Sequence, residues 1–470
     1  MPRAVLVPLI VACALFMENL DSTVLATSLP QIAASFGESP VRLSFAITAY
    51  LFSLAVFIPI SGWVADRFGA RTVFRAAIVV FLAGSILCGL SHSLPELVAA
   101  RLVQGLGGAM MVPVGRLVLL RSVAKSELVT AMAYLTVPAL IGPVIGPLLG
   151  GFITTYFHWR WNFWINIPIG ALGLVLATLF IPDTREARPP PLDLAGFGLS
   201  ATGLVGVIFG FETIGRAIVP GWATAALLAA GALGVLLYVG HAVRVAHPVL
   251  DLGLLRTPTF RASVLGGFLF RIGIGALPFL LPLMLQAGFG LSAFASGQLT
   301  FAAALGALTM KLAARPILRR FGFRRVLLVN ALLSGLSLGA IALFRPDTPH
   351  LVILAVLLVG GFFRSLQFTS INTLGYADID RQRMSRATSF SSMAQQLSLS
   401  VGVGTGALLL HATMAARGGG ALQPGDFVPA FVAVGVCAAL SALAFVRLPA
   451  SAGAEVSGHQ AAERAPAQDR

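Results

Sequence analysis

The sequence predicts an all-α polytopic membrane protein, and three observations carry that expectation. Of its 470 residues, 57 % are hydrophobic and 11 % charged, where a soluble chain carries about 25 % charged residues. Apolar runs of about 18 to 25 residues, long enough to cross a bilayer as helices, recur from one end to the other. The Lys and Arg residues collect between alternate runs, the asymmetry that membrane topology imposes on short loops.

Fourteen runs qualify: residues 6–29, 44–64, 73–90, 94–113, 131–152, 163–180, 194–211, 222–239, 262–285, 293–312, 326–344, 351–374, 390–410 and 427–446. The first six form one group, 194–211 and 222–239 form a central pair, and the last six form a second group. The first run holds two acids and reads as a retained span rather than a cleavable signal. Arg67, Arg71 and Arg75 follow the second run, Arg121 and Lys125 the fourth, and six basic residues from Lys311 to Arg325 surround the loop after the tenth. The opposite side has only Arg42, Arg160, Arg216, Arg345 and Arg417. Both termini are therefore expected in the cytoplasm. The "HWRWNFW" stretch, residues 158–164, then falls at the outer interface, where Trp is favoured. The segment after residue 448, rich in Ala, Glu and Arg, is expected to be disordered.

Several function classes drop out. The net charge of +14 is spread over loops rather than gathered in one patch, which argues against nucleic acid as a partner. Cys13, Cys88 and Cys437 each lie in an apolar run and form no disulfide framework or metal-ligand spacing. No G-x-x-x-x-G-K-[ST] exists for an ATP-driven pump, and no H-E-x-x-H or G-x-S-x-G for a membrane-embedded enzyme. The expectation is a non-enzyme without cofactor or metal.

An internal repeat divides the chain. "VADRFGARTVF" after the second run aligns with "ILRRFGFRRVL" after the tenth, placing Arg67-Phe68-Gly69 on Arg320-Phe321-Gly322 and Arg71 on Arg324. Both loops lie on the same side, so the repeat is parallel, as in transporters built from two six-span halves. The expected division is a first half over 1–181, a central loop and two additional helices over 182–258, a second half over 259–448, and a tail over 449–470.

Glu18 and Asp21 in "FMENLDSTV" share a face of the first span, because i and i+3 are neighbours on a helix. A charge at mid-membrane costs at least ~2.5 kcal/mol on insertion scales, so two of them call for a purpose. Asp21 lies ~14 Å and Arg101, in the fourth span, ~10 Å from the outer end at 1.5 Å per residue, depths that allow contact. Burial and a neighbouring arginine pull a carboxylate pKa in opposite directions. Changing water access between two conformations would therefore load or release a proton at Asp21, with Glu18 and Arg101 assisting. A structural ion pair between spans one and four is the alternative.

Five further stretches fit one pattern. "LDST" (20–23), "GWVADRFGAR" (62–71), "RLVQGLGGA" (101–109), "GPVIGPLLGG" (142–151) and "WRWNFWINIPIG" (159–170) occur in this order on the expected spans. Through them the chain resembles the major facilitator superfamily, in particular its fourteen-span drug:proton antiporter branch, over essentially its whole length. The resemblance implies a major facilitator fold, two six-helix halves plus two central helices. It also implies proton-coupled export of small amphipathic molecules, of multidrug efflux type, across a bacterial inner membrane. The lipid bilayer and a small-molecule substrate are the expected partners, with a periplasmic adaptor and outer-membrane channel as further ones.

The resemblance also assigns residues. Gly62, Asp66, Arg67, Gly69 and Arg71 would form a conformational latch, with Asp66 accepting from a span end or pairing with Arg71. Gly142, Gly146 and Gly150 recur every four residues and give one smooth helix face, while Pro143 and Pro147 remove backbone donors. With Gly151 these residues make the antiporter motif, and the resemblance implies that its face meets the other half. Gln104 and Asn166 are candidate substrate-binding residues, as are Arg271 and Arg364, which stand in spans nine and twelve. No Asp or Glu occurs between Asp251 and Asp347 or between Asp380 and Asp426. The two arginines keep open a second expectation, export of a specific small anionic metabolite or metal chelate, because the guanidinium fork suits carboxylates and phosphates.

Overall fold

A computed structural model describes residues 3–38, 40–182, 190–213, 219–420 and 422–459. The N-terminal half contains α1 (Arg3–Phe36), α2 (Pro40–Phe57), α3 (Ser61–Phe68), α4 (Ala70–Leu90), α5 (Leu94–Ser122), α6 (Leu128–Tyr156), α7 (Trp161–Trp164) and α8 (Asn166–Phe180). Next come α9 (Leu194–Thr213) and α10 (Gly221–Ala242). The C-terminal half contains α11 (Pro258–Leu283), α12 (Ala293–Ala340), α13 (His350–Leu374), α14 (Met384–Ala416), α15 (Val428–Leu440) and α16 (Ala442–Phe445), and α17 (Ala454–Ser457) follows. The protein is an all-α membrane protein. A bilayer leaves no water to satisfy backbone groups, so helices satisfy them internally.

Eleven helices among the described residues are long and apolar enough to cross a membrane, or twelve if the bent pair α2 and α3 is one span. Fourteen runs map onto fewer helices partly because α12 holds two of them, 293–312 and 326–344, in 48 residues. The join is Gly322, at φ 71°. The run 44–64 is not one straight span either: α2 and α3 meet at 62°. The run 94–113 extends to Ser122, with Pro113 inside the helix; neighbouring helices make proline tolerable in a membrane span.

The repeat is visible in three dimensions. Gly69 and Gly322, aligned in sequence, both take positive φ, 90° and 71°, a region costly for any side chain. The aligned arginines also do the same work. Arg71 donates to the Thr178 carbonyl at 2.8 Å and Arg324 to the Val446 carbonyl at 3.1 Å, each near the end of the last long segment of its own half. Arg71 is thus a helix-end donor and does not pair with Asp66.

The halves meet where α3 and α5 touch α14, and where α6 touches α12 and α13. The inserted α9 packs on both α2 and α14, through Ala55, Leu204 and Ile208 with Met393 and Leu397. Helix α10 packs on α9, and a Cβ on Gly206 would sit 2.6 Å from the Gly231 backbone. Such small residues let helices approach closely without a hydrophobic driving force.

Two expectations about the basic end are corrected. Residues 449–459 are not disordered: Val456 is buried and the His459 ring Nδ1 lies 2.9 Å from the Arg319 carbonyl. Glu455 reaches across to Lys125 at 3.4 Å, an exposed pair worth little by itself. Residues 460–470 lie outside the described residues. Lys311 is not a loop residue: it lies eleven residues before Gly322, ~16 Å along α12, and donates to Thr369 Oγ1 at 2.6 Å.

Gly69→Ala and Gly322→Ala are each expected to lower stability by about 1–3 kcal/mol through backbone strain. Gly240 is helical and has open space where a Cβ would go, so Gly240→Ala is expected to be neutral or to stabilise by about 0.5–1 kcal/mol. Thermal unfolding of the purified variants checks both.

Candidate functional site

The two acids of α1 sit among side chains from four other helices of the same half. Asp21 is 3 % exposed and Arg101 1 %. Arg101 Nη1 lies 2.5 Å from Asp21 Oδ2, and the same nitrogen donates to Gln104 Oε1 at 2.6 Å. Gln104 Nε2 and Asn166 Nδ2 both donate to Asp21 Oδ1, at 2.9 and 3.1 Å. Asn166 also reaches Ser85 Oγ at 3.0 Å. The Arg101 guanidinium rests 4.5 Å from the Tyr50 ring centre, a cation–π contact that desolvation strengthens. The carboxylate is thus held by one charged and two neutral donors supplied by α5 and α8.

Local sequence explains the convergence. Arg101 and Gln104, three apart on α5, share a face and present one donor to each Asp21 oxygen. A Cβ on Gly84 would lie 2.5 Å from the Gln104 backbone nitrogen, so α4 and α5 run in contact and bring Ser85 up to Asn166. Glu18 stands one turn below Asp21 and beside Tyr50. Its Oε2 is buried with no hydrogen-bond partner.

Gln104 and Asn166 therefore hold the carboxylate, whereas the sequence offered them as substrate contacts. The antiporter-motif face is also corrected. A Cβ on Gly142 would lie 3.2 Å from Asn19, Leu20 and Phe16, and one on Gly146 would collide with Thr23. These glycines press α6 onto α1, the helix of the two acids, and not onto the other half. Gly150 is buried on the same helix; the side chains of Pro143 and Pro147, and the surroundings of Gly151, lie outside what is described.

The latch residues join the halves at the basic end. Asp66 Oδ1 accepts from Arg121 Nη2 at 3.0 Å, and Asp66 Oδ2 accepts from Ser385 Oγ at 2.5 Å, at the start of α14. Ser61 and Ser389 hydroxyls lie 2.8 Å apart. A Cβ on Gly62 would come within 2.5 Å of the Ser385 carbonyl, so only glycine allows this approach. Gly69 turns the chain after α3, and Arg67 stands exposed in the last turn of α3.

Arg271 and Arg364 are both buried, but the structure does not bring them together. Arg271 donates to Asn372 Oδ1 at 2.9 Å, two turns of α13 beyond Arg364, or ~12 Å. Arg364 lies beside Gly360, near Ser337 of α12. The sequence missed Arg116, which is buried on α5 and donates across the seam to Tyr376 Oη at 3.3 Å. A cation three residues beyond Pro113, in a run that stays apolar to Leu120, was the available signal.

Removing one partner of a buried ion pair costs about 3–5 kcal/mol, because the other charge is left uncompensated. Asp21→Asn and Arg101→Gln are each expected to lower stability by that order. The double variant is expected to be less destabilised than the sum of the two. A double-mutant cycle on thermal unfolding in detergent measures the coupling.

The sequence model of the Major Facilitator Superfamily matches residues 11–403 and 263–468. The chain is 41 % identical over 404 residues to the "Putative multidrug resistance protein MdtD" of Salmonella paratyphi A, covering 85 % of each chain. The protein of the same name from Salmonella typhi is also 41 % identical over 404 residues, again covering 85 % of each. Among solved structures, the fold is similar to that of the human organic anion transporter MFSD10 (TETRAN), with TM-score 0.68, 16 % identity, and coverage of 95 % of this chain and 100 % of that one. It is equally similar to the proton:xylose symporter XylE, with TM-score 0.68, 16 % identity, and coverage of 97 % and 98 %. The chain belongs to the major facilitator superfamily of membrane transporters.

Proposed function

We propose that the protein is a proton-coupled antiporter that exports small amphipathic molecules from the cytoplasm across a bacterial inner membrane by alternating access. The observation that carries the reading is the buried Asp21 carboxylate, held by Arg101, Gln104 and Asn166. An ionisable residue inside a membrane is expensive to keep and by default functional. The "multidrug resistance" name of the relatives supports an exporter of amphipathic molecules.

In this reading the basic end faces the cytoplasm, where the Asp66–Ser385 and Ser61–Ser389 contacts close the pathway. Protonation of Asp21 removes the charge that Arg101 faces and frees α1 to shift against α5. The glycine face of α6 lies directly on that part of α1, so a shift of α1 is transmitted to a helix that also touches the second half. Each proton moving inward gains ~2.3 kcal/mol per 100 mV of membrane potential, which drives export uphill.

Purified protein in liposomes with an imposed pH gradient and an internal pH dye provides the test. Wild type is expected to show substrate-dependent proton flux, and Asp21→Asn, if folded, to lose it. Flux unchanged in Asp21→Asn sinks the proposed coupling site. Asp66→Asn is expected to weaken the seam by about 1.5–3 kcal/mol, the range for hydrogen bonds to charged groups, or roughly tenfold or more in the conformational equilibrium. Spin labels at Glu127 and Arg381, both exposed at the basic end, should then report a larger population of long distances.

A further inference from the structure

We propose that the molecule carries an anion-binding site across the seam between its halves, formed by Arg116 of the first and Arg271 of the second, which takes the carboxylate or phosphate of the exported molecule. The proposal rests on the transporter reading above and specifies the charge of its substrate.

Both guanidiniums are buried, Arg116 at 5 % and Arg271 at 2 % exposed, and neither is paired with a carboxylate among the described residues. Arg116 Nη1 donates to Tyr376 Oη at 3.3 Å and Nη2 to Gln395 Oε1 at 3.5 Å, both long contacts to neutral groups. Arg271 Nη2 donates to Asn372 Oδ1, its face lies 5.5 Å from the Phe368 ring centre, and its Nε is buried with no partner at all. A guanidinium carries five donors and no acceptor, so these partners leave most of its capacity unused. Their partners Tyr376 and Asn372 stand four residues apart around the C-terminal end of α13, which brings both guanidiniums to the same part of the seam.

Arg101 meets the same burial in a different way. That arginine is equally buried and has Asp21; Arg116 and Arg271 have only hydroxyl and amide oxygens. Burying an unpaired charge is costly, and burying two of like sign near each other adds repulsion. Helices α11, α12, α13 and α14 contain no Asp or Glu to relieve this. Asp378, close to Tyr376 in sequence, accepts instead from Thr259 Oγ1 at 2.7 Å. An anion seated between the guanidiniums would supply the missing charge, and a planar two-oxygen group fits the guanidinium fork. Because one arginine belongs to each half, the anion would also hold the halves together at this end.

The test titrates succinate, inorganic phosphate and tetraphenylphosphonium against the thermal unfolding of purified full-length protein at constant ionic strength. Saturable stabilisation by succinate is expected in wild type. Its apparent Kd should weaken at least tenfold in Arg116→Gln and Arg271→Gln, and less in Arg271→Lys, which keeps the charge but loses the fork. Tyr376→Phe, which leaves both charges in place, covers the case in which a glutamine variant does not fold and should weaken binding a few-fold. Proteoliposome counterflow of labelled succinate then separates a transported anion from a merely bound one.

Absence of saturable anion binding in wild type, or equal binding in Arg271→Gln, overturns the site. Binding by phosphate and succinate alike without counterflow of either overturns its assignment to the substrate. If tetraphenylphosphonium alone drives Asp21-dependent proton flux, the anion proposal falls and the antiporter reading stands. If anions exchange without proton movement, the antiporter reading falls and the anion site stands.

Discussion

A charge inside hydrocarbon has to be answered by another charge or by donors, and the ion pair between Asp21 and Arg101 organises the N-terminal half around that requirement. Asp21 needs donors, so Gln104 and Asn166 point inward from α5 and α8. Asn166 needs an acceptor, so Ser85 of α4 is drawn to it. Satisfying one carboxylate thereby fixes the mutual positions of α1, α4, α5 and α8, and half-satisfied networks of this kind are unstable in a low dielectric. The network is not complete: Glu18 Oε2 and Asn166 Oδ1 are both buried in it without a hydrogen-bond partner among the described residues.

The second half obeys the same architecture with the opposite chemistry. Its turn at Gly322 and its helix-end donor Arg324 repeat Gly69 and Arg71. Yet where the first half buries a matched pair, the second buries Arg271 and Arg364 without any acid on the same helices. The two halves share the frame, the positive-φ glycine and the helix-end arginine donor, and differ in the charged side chains they bury. The seam between the halves is polar at the basic end, built from serines, Asp66 and Arg121, so it can be exchanged for contacts with water at little cost.

Much of this was legible in the sequence because a membrane makes polar residues conspicuous. Asp21 and Arg101 could be paired from depth alone, and the repeat from two loops. What was not legible depended on partners remote in the chain. Asp66 finds Ser385, 319 residues away, and no local spacing announces that bond. Arg116 was hidden because Pro113 looked like the end of a span, although α5 continues past it. The direction of the Gly142 and Gly146 face was misassigned because a smooth helix face states that something packs closely, not which helix does so. The tail after residue 448 has a composition typical of disorder, but Val456 is buried and His459 reaches the Arg319 carbonyl.

The position of α9 has a mechanical consequence. It touches α2 of one half and α14 of the other, with Phe209 against Phe52 on the first side and Phe211 against Gly404 on the second. A part fastened to two bodies that rotate relative to each other can travel with only one of them. The pairing of α9 with α10 is close, a Cβ on Gly206 sitting 2.6 Å from the Gly231 backbone. Under the proposed rocking of the halves, one of the two contacts of α9 has to slide, a phenylalanine on a glycine or two phenylalanines edge to face, and the friction of that contact would enter the rate of exchange.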